Sequence, residues 1–170
     1  MTAGERRLLP LPPGRWEELH RLMVAQRFPA VPPDYREAAA CFARARIFGL
    51  DEGSKLLAAF VFGAPQDDVS FLDVVCAPHA HGLWATAAVL RELYDLAFNR
   101  LGLRVVWVQP RRKAGLKAAL QAGFVPGTPL GVGHPVLVMT PFGIPPKFLK
   151  HGRRKLNVKV KGEPTDGQFI

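Results

Sequence analysis

The chain has 170 residues, 48% of them hydrophobic, and a formal charge of +9; that length and apolar content suit one well-buried domain and exclude a disordered chain. Its two cysteines, Cys41 and Cys76, lie in apolar segments without metal-ligand spacing, which argues against a disulfide framework and fits a reducing, cytoplasmic setting better. No run reaches the roughly 20 apolar residues of a membrane span, and the opening MTAGERRLLPLPPG lacks the long apolar core and cleavage site of a secretory signal.

Taken in chain order, residues 6–11 form a short apolar run that prolines at 10, 12 and 13 confine to a sheet edge. Residues 14–27 have helical spacing, with Trp16, Leu19, Leu22 and Met23 on one stripe. Asp34 is a plausible cap for an alanine-rich second helix over residues 35–44. Residues 45–50 and 55–63 read as two strands around the turn Asp51-Glu52-Gly53-Ser54, and a second polar turn leads into a strand at residues 69–76. These three strands form an antiparallel meander. Residues 86–101 place Val89, Leu90, Leu93, Leu96, Ala97 and Leu101 on one helical face, with Arg91, Glu92, Asp95 and Asn99 on the other. A strand at residues 103–108 follows, then a basic helix over 113–122 ended by Gly123. A Gly- and Pro-rich loop leads to a last strand at 134–140. The order β-α-α-β-β-β-α-β-α-β describes an α/β chain (an α+β mixed sheet) with helices on both faces. The strand–helix–strand unit over residues 69–108 requires one parallel pair, and its ligand position is the carboxyl end of the first strand, residues 76–85.

From residue 141 onward prolines and basic residues leave little packable pattern. Two units follow: a domain over residues 1–140 and a basic tail over 141–170. Residues 147–170 hold seven Lys and Arg against Glu163 and Asp166, leaving +5. This tail, from Lys147 to Lys161, suits an acidic protein surface or nucleic acid, and the alternation at residues 156–161 could add an edge strand.

The order of elements, and the stretch VSFLDVVCAPHAHGLWATAAVLRELYDLAFNRLGLRVVWVQPRRKAGLKAALQAGF in particular, resembles the GCN5-related N-acetyltransferase (GNAT) superfamily over about residues 6–140. The resemblance implies a mostly antiparallel sheet with one parallel pair, and acetyl-CoA as acyl donor to an amine. It implies that backbone groups of Val74 and Val75 hold the pantetheine arm. After Pro78, the family pattern Arg/Gln-x-x-Gly-x-Gly/Ala falls on His81, Gly82, Leu83, Trp84, Ala85 and Thr86, where backbone N–H groups would close on the pyrophosphate. The chain departs from the pattern at His81, at Trp84, whose indole is expected to crowd a phosphate, and at Thr86. Counting back from Gly123-Phe124 puts Arg112 at the family's Asn position and Ala119 at its Tyr position, so the usual general acid is missing.

Asp73 lies in an apolar strand, on the face of Phe71 and Val75. A carboxylate there needs a partner or a raised pKa, which suits either the base that deprotonates an amine or a structural aspartate at a bulge. Tyr94 and Trp107 read as core positions. The resemblance implies one of two functions: an acetyl-CoA-dependent N-acetyltransferase with Asp73 as base, or a GNAT-fold module that has lost transfer. The latter could be a virion component, since the second half of the chain also resembles GNAT-like internal virion proteins of tailed phages.

Overall fold

The computed structural model describes residues 7–63, 66–128 and 133–149. The meander expected from the hydrophobic runs is the centre of the sheet: β2 (Arg46–Glu52), β3 (Lys55–Phe62) and β4 (Val69–Cys76) pair antiparallel. Before it come the edge strand β1 (Leu9–Pro10) and the helices α1 (Trp16–Ala25) and α2 (Tyr35–Phe42). Asp34 caps α2, its carboxylate accepting from Arg36 and Glu37 N–H. After it, α3 (Ala87–Tyr94) crosses to β5 (Val105–Val108), which lies parallel to β4, and α4 (Lys113–Gln121) leads to β6 (Val125–Pro126) and β7 (Leu137–Met139). The seven-stranded order is β1-β2-β3-β4-β5-β7-β6, a mixed α/β sheet with one parallel pair.

Alternation along β3 and β4 sends side chains to two cores. Leu19 and Met23 of α1 and Ala38 and Phe42 of α2 pack on Leu56, Ala59, Val61 and Val75. On the other face, Val89, Leu90 and Leu93 of α3 and Leu116 and Ala119 of α4 pack on Phe60, Phe62, Leu72 and Cys76. Helices therefore cover both faces, but unevenly. Val69, Phe71, Val105, Trp107 and Val138 share the α1/α2 face of the β4–β5–β7 half and are only half-buried. Among the described residues no buried helix side chain joins them.

Four expectations are corrected. The helix expected over residues 86–101 is α-helical only to Tyr94; Asp95–Arg100 is π-helical, and Leu101 N–H reaches the Leu96 carbonyl five residues back. The wider turn keeps Leu96 and Ala97 buried while Asn99 and Arg100 reach solvent. The Gly/Pro loop contains β6, whose Val125 and Pro126 pair with β7. The unit also runs past residue 140: Phe148 is buried in the α3-side core, Arg91 Nε donates to the Lys147 carbonyl at 2.9 Å, and Pro145 lies on Gly123. A domain boundary after 140 thus cuts through packed structure, because Phe148 completes a core that the proline-rich local pattern concealed. Trp107 is the fourth, lying on the uncovered face instead of in a core. The alternation at residues 156–161 lies outside the described residues, and no described helix is long and apolar enough to cross a membrane.

Candidate active site

The site begins where β4 loses a neighbour. On the β3 side, Leu72 to Cys76 pair without interruption with Phe62 to Ala58. On the β5 side pairing stops early, at Phe71 with Trp107. The local cause is β5, which has only Val108 left before Gln109 and Pro110 turn the chain toward α4, and a proline supplies no ladder donor. The two parallel strands part there.

Hydrogen-bond phase decides which backbone groups face the opening. Gly63 N–H donates to the Phe71 carbonyl and Ala77 N–H to the Leu57 carbonyl. In an antiparallel ladder the phase repeats every second residue, so Asp73 and Val75 also turn their backbone groups to β3. Leu72, Val74 and Cys76 turn theirs toward the opening. Of the expected pair Val74 and Val75, only Val74 presents its N–H and C=O; those of Val75 face Ala59. The Cys76 carbonyl is taken by Gln26, whose Nε2 donates to it at 2.7 Å from the end of α1. No sequence signal marks Gln26 for this position. β4 also has no bulge, so a bulge does not account for Asp73.

The Asp73 side chain projects to the α1/α2 face at the first turn of the ladder beyond the parting. It is half-buried and forms no hydrogen bond or ion pair with the described residues. Burial raises its carboxyl from the usual 3.8 to about 6, against the lowering influence of the Arg111 charge. Arg112 acts similarly on the Cys76 thiol, which burial pushes up. The basic start of α4 therefore stands beside the open half of β4.

The carboxyl end of β4 runs into the loop before α3. Ala80 is buried and anchors it, and Leu83 N–H closes a turn on the Ala80 carbonyl. Between them Gly82 takes φ +78°, a conformation that favours glycine. Leu83 is 65% exposed, and His81 is exposed as well. His79 faces Glu52, Nε2 to Oε2 3.2 Å. The Trp84 indole packs inward, edge-on to Phe60 at 5.4 Å between ring centroids, and joins the α3-side core. Thr86 caps α3, its hydroxyl accepting from Val89 N–H at 3.3 Å. Ala85, Ala87 and Ala88 have no acceptor for their N–H groups within the described backbone, as the first turn of a helix requires. This end of α3 therefore offers backbone donors and the positive end of the helix dipole.

Neither Ala119, at the position of the family's Tyr, nor the nearby core residue Tyr94 offers a free hydroxyl. Ala119 packs against the core, and its carbonyl accepts from Phe124 N–H. The Tyr94 hydroxyl is buried and donates to the Ala122 carbonyl, and burial raises its pKa well above the usual value.

The fold has counterparts in solved structures. The spermidine N-acetyltransferase SpeG from Vibrio cholerae, in a dodecameric intermediate state, aligns at TM-score 0.62 and 14% identity over 80% of this chain and 94% of its own. A structure of SpeG mutant forms from Vibrio cholerae aligns at 0.66 and 14% over 80% and 94%, and a SpeG–hSSAT chimera at 0.65 and 14% over 81% and 96%. The chain has the GNAT fold. No protein-family model matches the chain, and no curated protein sequence does. The carboxyl ends of β4 and β5, where the two strands part, lead into the starts of α3 and α4, and these segments carry Asp73, Val74, Ala87, Ala88, Arg111 and Arg112, with the Arg111 charge felt at Asp73 and the Arg112 charge at Cys76.

Proposed function

We propose that the protein is an acetyl-CoA-dependent N-acetyltransferase acting on a primary amine. The observation that supports this reading is the parting of β4 from β5, which leaves Val74 N–H and C=O without a partner strand on the β5 side. A pantetheine arm has amide groups that fit such an edge as an added strand would. The donors at Ala85, Ala87 and Ala88, together with the helix dipole, suit its diphosphate, and Arg111 and Arg112 add positive charge. Because the Trp84 indole turns inward, it leaves this cradle clear. His81, Gly82, Leu83 and Thr86 then contribute through the course of the backbone. Acetyl-CoA, when bound, supplies an acetyl group activated as a thioester.

Asp73 would take the proton from the acceptor ammonium, directly or through a water. Its raised pKa makes it a better proton acceptor than an exposed aspartate, yet still ionised at neutral pH. Ala119 can return no proton and Tyr94 is committed to Ala122, which leaves the second proton transfer to solvent.

Isothermal titration with acetyl-CoA, followed by acetyl transfer to small primary amines, tests the reading. Asp73→Asn should keep acetyl-CoA affinity within about threefold and lower kcat at least about 100-fold. Absence of acetyl-CoA binding by the native protein would end it. A second reading, a GNAT-fold module without transfer that acts through the basic segment 147–161 on an acidic protein surface or nucleic acid, draws support from Ala119 and Tyr94. Acetyl-CoA binding absent, with steeply salt-dependent nucleic-acid binding present, would decide for it.

A further inference from the structure

One rung of the sheet is apolar from strand to strand on the uncovered face. The register pairs Phe71 with Trp107, Trp107 with Val138 and Val138 with Val125, and side chains paired in this way stand on the same face. The four therefore form a row across β4, β5, β7 and β6, three strand spacings or about 14 Å long. Phe71 and Trp107 touch, ring centroids 4.4 Å apart, and beside them a groove of about 350 Å³ extends to Asp67. Phe71, Trp107 and Val138 are half-buried, and Val125, on the edge strand, is 55% exposed. Apolar residues scattered singly on a surface need no cover, but a continuous row marks a contact.

We infer that the occupant of this row is a segment of the same chain, Leu156-Asn157-Val158-Lys159-Val160-Lys161, which lies outside the described residues. Extended across the row, the segment sets Leu156, Val158 and Val160 on the sheet and turns Asn157, Lys159 and Lys161 to solvent. From Leu156 to Val160 is four residue steps, about 13 Å, close to the length of the row. The reach fits as well. Phe148 fastens the preceding segment in the α3-side core, and Pro145 lies on Gly123, two residues before Val125. Residues 150–155 extend at most about 20 Å, which matches two layer spacings of roughly 10 Å each around the β6 edge. Charge favours this occupant over a second copy of the same face. Strands β4 to β7 contain no Lys or Arg; Asp73 stands two residues along β4 from Phe71, and Asp67 lines the groove. Two such faces would bring carboxylates together, whereas residues 150–161 carry six Lys and Arg and no acid. The inference is independent of acetyl transfer.

The test uses the full chain labelled with 5-fluorotryptophan, so that Trp16, Trp84 and Trp107 each give a fluorine resonance, with Trp107 assigned through Trp107→Phe. The double variant Val158→Asp/Val160→Asp places two carboxylates on the side that meets the row. It should shift the Trp107 resonance and raise its solvent isotope effect to that of an exposed indole. Trp16 and Trp84, which pack on the two cores, should keep their positions and so report an intact fold. Asn157→Asp, on the outward side, should shift none of the three. An unmoved Trp107 in the double variant, or an equal shift in Asn157→Asp, would overturn the proposal. A Trp107 resonance that moves on dilution, with a dimer in sedimentation that the double variant dissociates, would overturn it too, because the face would then be held by a second copy.

Discussion

Replacing Asp73 by asparagine should stabilise the fold while removing activity, an opposition that a merely structural aspartate would not produce. Its carboxyl is raised from 3.8 to about 6, with burial as the main cause. At 1.36 kcal/mol for each tenfold, the ionised fold carries at most about 3 kcal/mol of strain at neutral pH. The side chain keeps partial contact with solvent, which reduces this to about 1–2 kcal/mol. The sign follows from proton linkage: between pH 3.8 and about 6 the native state binds the proton that the unfolded chain has released, so stability falls as pH rises through that window. Asparagine removes the dependence. Thermal melts of native protein and Asp73→Asn should coincide near pH 3.5. By pH 7.5 they should diverge, with the variant higher by about 3–6 °C for a domain of this size. If the native protein transfers acetyl groups as proposed, its kcat/KM should rise with pH through about 6, as a base with that pKa requires. A variant that is less stable at pH 7.5, or equally displaced at both pH values, would refute the reasoning, because the charge would then have a partner in the fold.

Gln26→Ala should cost about 1 kcal/mol by urea titration and weaken acetyl-CoA binding, since the Cys76 carbonyl loses its 2.7 Å donor at the mouth of the gap. Gly123→Ala should cost about 2 kcal/mol or more in the same assay, because φ is +98° and the new Cβ would stand 2.5 Å from Cδ and Cγ of Pro145; a neutral result would mean that segment 141–149 is not held there. Tyr94→Phe should cost about 1–2 kcal/mol by leaving the buried Ala122 carbonyl without its donor, with kcat unchanged. Trp84→Gly should lose about 2–3 kcal/mol of packing against Phe60, without tightening acetyl-CoA in calorimetry.

The fold was legible wherever pattern and length act locally. Val69 to Cys76, the amphipathic run after Thr86 and the Gly123 stop define a strand, a crossover helix and a helix end without tertiary help, and the crossover rule then makes β4 and β5 parallel. What stayed hidden depends on contacts far apart in sequence. Phe148 sits among prolines and cations, and only the completed α3-side core explains its burial. Trp107 is an aromatic residue in an apolar strand, but among the described residues no helix covers it. Gln26 meets Cys76 across 50 positions.

The same distinction governs how far a motif comparison can judge the site. A cradle made of backbone N–H groups depends on chain direction and on one left-handed glycine, Gly82. At such a place a side chain such as Trp84 disturbs the ligand only if it turns toward it, and Phe60 provides an apolar contact that turns it away. Departure from the motif is therefore weak evidence against phosphate binding. A general acid is different, because it is a side-chain atom, and no course of the backbone replaces the hydroxyl absent at Ala119. The two departures carry unequal weight. On the transferase reading proposed above, loss at residue 119 would slow a second proton transfer, while change at residue 84 bears on packing against Phe60, so that reading expects a slow transferase rather than one unable to bind its donor.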